Sequence, residues 1–121
     1  MPLTRDFKDT IRARVQRDPE FRKALLREGI ENFLSGDVET GKIILRDFIN
    51  ATVGFNKLGN VTQRSAKSLM RMFGPRGNPQ ARNLFEILAY LQKTEGVCFE
   101  VRPKRRLPRQ DTRELVEHRS L

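Results

Sequence analysis

Between Asp47 and Glu86 the chain carries six basic side chains and no acid: Lys57, Arg64, Lys67, Arg71, Arg76 and Arg82. Unpaired ammonium and guanidinium groups at that density repel one another until an anion neutralises them, so the stretch points to a polyanionic partner. Three of the six fall in SAKSLMRMFGPRGNPQ, residues 65–80. At about 100° per residue, Leu69, Met72 and Phe73 share one side of a helix there, with Ala66 beside them. Arg64, Lys67 and Arg71 form a stripe on the opposite side, flanked by Ser68 and Met70. A DNA major groove takes such a face: cationic forks serve guanine edges and phosphates, serine serves either, and an apolar tip meets a thymine methyl. Glycine and proline then end the helix within GPRGNP, so the chain leaves promptly past the backbone.

The surrounding charge makes this a local feature. Residues 1–53 hold ten basic and nine acidic side chains, residues 54–96 seven and two, and residues 97–121 seven and four. The formal charge of +9 is therefore concentrated beyond the first 53 residues. A chain of 121 residues is one domain's worth, and 37% hydrophobic with 32% charged residues suits a small helical protein. No apolar run reaches the roughly 18 residues of a spanning helix. The opening MPLTRDFKDT is polar and of mixed charge, without a secretion signal. The expectation is a cytoplasmic protein with no membrane partner.

Other chemistries find little support. The single histidine, His118, stands in a polar tail, which leaves a histidine base or nucleophile pair without a home. One cysteine, Cys98, and one histidine cannot make a four-ligand zinc site, and a lone cysteine makes no disulfide. Ser65, Lys67 and Ser68 are too close in sequence to face one another as a serine–lysine pair, and a helix cap with phosphate contact explains them better. Glu28 and Glu31 share a helical face with Lys23 and Arg27 nearby, a solvated surface. GPRGNP follows a helix and lacks the Gly-Lys-Ser/Thr ending of a phosphate loop. No enzyme, metal or cofactor is expected.

Six helices are expected to position the basic stripe. Phe7, Ile11 and Val15 line the first, over residues 4–17. Asp18-Pro19 ends it and caps the second, 19–35, whose apolar set is Phe21, Leu25, Leu26, Ile30, Phe33 and Leu34. Gly36 stops that helix and Asp37 caps a third, with Ile43, Ile44, Leu45, Phe48, Ile49 and Val53 inward. Residues 55–63 make a short weak helix, Ser65 caps the next, and 80–93 is a strong helix with Leu84, Ile87, Leu88 and Leu91 on one face. Gly96 ends it. VCFEV, 97–101, alternates and reads as one short strand, which could pair with its copy in a second subunit. The tail after it is basic and proline-containing, expected to be mobile with a final helical turn.

With these elements in place the chain resembles the helix-turn-helix proteins of the Cro/phage-repressor superfamily, in the branch of addiction-module antidotes. Ser65, Leu69, Met72 and the run Gly74-Pro-Arg-Gly-Asn-Pro79 carry the resemblance, with the leucine-rich helix ARNLFEILAYL after it. Gly59 matches the small residue of the first motif helix, where the two helices approach closely, and Leu58 its apolar neighbour. The match covers roughly residues 41–96; the turn Val61-Thr62-Gln63-Arg64 lacks the glycine often found there. The resemblance implies an all-α, repressor-like bundle of five to six helices, here with two extra N-terminal helices and one short C-terminal strand. It also implies a homodimer that binds its own promoter and neutralises a toxin protein.

The expected organisation is thus an N-terminal helical extension (1–36), a DNA-binding domain (37–96) and a strand with a basic tail (97–121). Helix 64–73 is expected in the major groove of double-stranded DNA, with 55–62 across it. Arg64, Lys67, Ser68 and Arg71 are the candidates for base and phosphate contact, with Ser65 at the cap and Gln63 at the helix start placed to read adenine. Arg76, Asn78 and Arg82 would hold the backbone. The rival reading is a protein-interaction module that docks a toxin and binds nucleic acid only generically. RNA is disfavoured because stacking aromatics are missing: there is no tryptophan and one tyrosine. Leu69→Ala should lower stability by about 2–5 kcal/mol in urea denaturation; a neutral change would mean that the helix faces the other way.

Overall fold

The computed structural model describes the backbone of residues 5–105 and the side chains of residues 9–105. The expected inward Phe7 side chain and the tail after residue 105, with its expected helical turn, lie outside the described residues. The chain is all-α. Its helices are α1 (Arg5–Arg17), α2 (Pro19–Leu34), α3 (Val38–Ala51), α4 (Phe55–Thr62), α5 (Ala66–Met72) and α6 (Ala81–Glu95). No helix among the described residues is long and apolar enough to cross a membrane.

Side-chain caps start three of the helices by answering N–H groups that have no partner in the first turn. Asp18 accepts from the Phe21 N–H at 3.1 Å, Asp37 from Thr40 at 3.2 Å and Ser65 from Ser68 at 3.0 Å. The bond from Phe21 also holds the Asp18 carboxyl below its ordinary range. Pro19, at the first position of α2, surrenders a donor that the helix does not need.

One core runs without interruption from Leu26 of α2 through Leu45, Phe48 and Ile49 of α3 to α6, where Leu84, Ile87, Leu88 and Leu91 close it. Phe55 and Phe73 tilt against each other at 6.4 Å, tying the start of α4 to the end of α5. Two expected core residues lie outside: Leu34 is 63% exposed and Ile43 is 49% exposed. Leu34 ends α2. Ile43 stands about 160° around α3 from buried Leu45, so the helix cannot turn both inward.

The expected strand at 97–101 is absent; among the described residues there is no strand. The alternation is real, with Val97 and Phe99 half-buried and Cys98 and Glu100 exposed. Its donors, however, are answered by α6. Val97 N–H bonds the Gln92 carbonyl at 3.0 Å and Phe99 N–H bonds Gln92 Oε1 at 2.8 Å, while Phe99 packs on the core. These two bonds tie the segment to α6 in place of a strand ladder among the described residues.

Two devices fix the helices around the basic stretch. Arg22 of α2 bonds the Val15 carbonyl of α1 at 2.8 Å and Glu95 of α6 at 2.6 Å, so one guanidinium joins three helices. At Gly59, a Cβ would lie 2.5 Å from the Arg64 carbonyl oxygen and 3.3 Å from the Ala66 nitrogen. Only a residue without a side chain lets α4 meet the start of α5 this closely. Gly59→Ala should therefore lower stability by about 1–3 kcal/mol, seen as a lower urea midpoint at unchanged slope.

Candidate nucleic-acid interface

A helix of seven residues is not stable alone, so α5 exists because of what holds it. Leu69 is fully buried, Phe73 just beyond the helix is 1% exposed, and Ala66 and Met72 pack partly against the core. On the other side Lys67, Ser68, Met70 and Arg71 are exposed. Lys67 and Arg71 are one turn apart, a rise of about 6 Å. Ser65 and Ser68 share a hydroxyl bond of 2.9 Å at the helix start, with both side chains exposed.

The helix is shorter than the expected 64–73. Gln63 does not begin it: this residue closes α4 in the left-handed region at φ 58°, exposed in the link between the helices. One orphan donor of α5, the Ser68 N–H, is met by the Ser65 hydroxyl, which caps the helix and puts its first residue at Ala66. Arg64 does not belong to the open stripe either. Its guanidinium bonds Glu86 at 3.0 Å and also Asn83, both on α6, and reaches the Thr62 carbonyl. Arg64 fastens the α4–α5 link to α6.

Beyond α5 the chain makes a tight turn, Gly74-Pro75-Arg76-Gly77, closed by the Gly77 N–H on the Gly74 carbonyl at 3.0 Å. Pro75 and Arg76 are exposed at its tip, and Asn78 follows, also exposed. Arg82 stands exposed in the first turn of α6, which has neither an acid there nor a side-chain cap. A cation at that end of a helix opposes the dipole and gains from a nearby anion. The link, α5, the turn and the start of α6 thus bring Gln63, Ser65, Lys67, Ser68, Arg71, Arg76, Asn78 and Arg82 to the surface, and withdraw Arg64 from it.

Ion pairing sharpens the charge. Of the two acids in residues 54–96, Glu86 pairs with Arg64 and Glu95 pairs with Arg22. Lys57, Lys67, Arg71, Arg76 and Arg82 are exposed and make no ion pair among the described residues. Lys57 of α4 adds an exposed cation outside the expected set of contact residues.

Sequence reading also passed over Lys42, which is 2% exposed. Its ammonium bonds the carbonyls of Gly74 at 3.0 Å and Gly77 at 2.8 Å, and pairs with Glu39 at 3.2 Å. A signal was present: Lys42, Leu45 and Ile49 lie at i, i+3, i+7 and so share the inward face of α3.

Among the described residues no group of His, Cys, Asp or Glu side chains gathers as metal ligands. Cys98 is free and exposed. No protein-family model, curated protein or solved structure matches the chain.

The two kinds of basic residue should separate on mutation. Lys67→Ala with Arg71→Ala should leave thermal unfolding within about 0.5 kcal/mol of the parent, as expected for free surface side chains. Arg64→Ala should lower stability by about 1 kcal/mol, through its half-exposed partner Glu86 and the stranded Asn83. Equal losses in the two variants would mean that Lys67 and Arg71 are not a free stripe.

Proposed function

We propose that this chain is a sequence-specific, double-stranded-DNA-binding transcriptional regulator of the repressor-like helix-turn-helix class. In this reading α4 lies across the major groove and α5 enters it. One observation carries it: α5 buries Leu69 and offers Lys67, Ser68, Met70 and Arg71 on its open side, while Glu86, the acid joined to the α4–α5 link, is held by Arg64. Such a face has the groups that read base edges and none that repel phosphate. Arg76, Asn78 and Arg82 take the backbone in this reading, and Gln63 and Ser65 flank the entry of α5. The major groove, about 12 Å wide, admits a helix of this size.

A pair of chains on a palindromic site would set two α5 helices about 34 Å apart, one turn of DNA. The homodimer, the operator upstream of its own gene and a toxin partner come into the proposal from the resemblance carried by Ser65, Leu69, Met72 and GPRGNP. A protein-docking module is the rival, and Phe85, 64% exposed on the outer side of α6, is the residue that favours it.

The deciding experiment titrates the chain against the duplex upstream of its own gene, with unrelated competitor DNA, at several salt concentrations. Binding that resists competitor and is lost in Lys67→Ala/Arg71→Ala is the expected result. Binding that is indifferent to sequence and to both substitutions would reject the proposal in favour of docking.

A further inference from the structure

We infer that Lys42 is a positioning residue for DNA binding: its buried ammonium clamps the base of the Gly74–Gly77 turn and thereby presents Arg76 to a phosphate. The inference rests on the DNA-binding reading above. Lys42 itself is too buried to touch DNA: its ammonium donates to the Gly74 and Gly77 carbonyls and forms an ion pair with the Glu39 carboxylate. The two carbonyls are the first and last of the four turn residues. The same Gly74 carbonyl accepts the Gly77 N–H that closes the turn. Pro75 stands at the second position, where its ring presets the backbone, and Arg76 at the third.

The clamped turn is also seated on α5. A Cβ at Gly77 would lie 2.0 Å from the Arg71 carbonyl oxygen and 2.5 Å from that of Met72. The turn backbone therefore rests directly on the last carbonyls of the helix that carries Lys67 and Arg71. Arg76 is held in a fixed relation to them, although it has no partner of its own among the described residues. Holding a phosphate contact in register with a base-reading helix is what lets backbone contacts orient a protein on DNA. A turn already ordered also loses less freedom on binding. An apolar residue in place of Lys42 would fill the core and leave both turn carbonyls without this donor.

The test uses the full chain and a labelled duplex selected by it from a random-sequence pool. Arg76→Ala should weaken binding about 3- to 10-fold and lower the slope of log affinity against log salt by about one. Lys42→Met should reproduce that loss and that slope change, though the lysine makes no phosphate contact. The double variant should bind no more weakly than either single one. Additive losses, or a Lys42→Met chain with parental affinity and slope, would overturn the inference while leaving the DNA reading intact. Failure to select any duplex, or a selected duplex bound equally well by Lys67→Ala/Arg71→Ala, would remove both. Should Lys42→Met not fold, the amide order parameters of Arg76 and Gly77 in the parent chain decide: about 0.85 supports a clamped turn, and below about 0.6 overturns it.

Discussion

Burial of Leu69 and Phe73 is the constraint on which the basic surface depends. Seven residues cannot hold a helix by their own hydrogen bonds, and this one also concentrates like charge on its outer side. The apolar side decides the balance, because two fully desolvated large side chains contribute about 1.5–3 kcal/mol each. The rest is alignment. The Ser65 hydroxyl starts the helix, the bare backbone of Gly59 lets α4 come close, and the Phe55–Phe73 contact holds the far end. Rotation of α5 by a single residue would withdraw the basic stripe and expose leucine.

Charge is organised by subtraction as much as by accumulation. The segment's two acids, one in each half of α6, are each held by an arginine. The pairs differ in kind. Glu95 is 7% exposed and its bond to Arg22 is a buried contact between helices, whereas Glu86 is half exposed and screened by solvent. Lys42 shows a third use of a cation, as a side-chain donor to the backbone carbonyls of a turn.

How much of this could be read beforehand depended on the range of the interaction. Caps at Asp18, Asp37 and Ser65 are chemistry between residues three apart, and the sequence displays them directly. Helical spacing likewise separates Leu69 from Lys67. Arg64 and Lys67 look alike on a helical projection. Only the arrival of Glu86 and Asn83, 22 and 19 residues later, distinguishes a structural tie from a free cation. The stretch 97–101 shows the same limit. Its alternation is legible, but a strand is a relation to another strand, and Gln92 takes the bonds instead. Lys42 was readable as inward-facing from its spacing to Leu45; its carbonyl partners, 32 and 35 residues on, were not.

The Arg22–Glu95 bond spans 73 residues, the longest separation among the side-chain bonds described. On a ribosome adding about 5–20 residues per second, Glu95 is made about 4–15 s after Arg22. The other partner of Arg22, the Val15 carbonyl at the corner between α1 and α2, lies only seven residues away and is made before it. The last turn of α6 then arrives with the carboxylate that locks the corner to the rest. Arg22 thus gains its carboxylate only when the sixth helix is made, and the order in which the chain is made bears on how that tie is assembled.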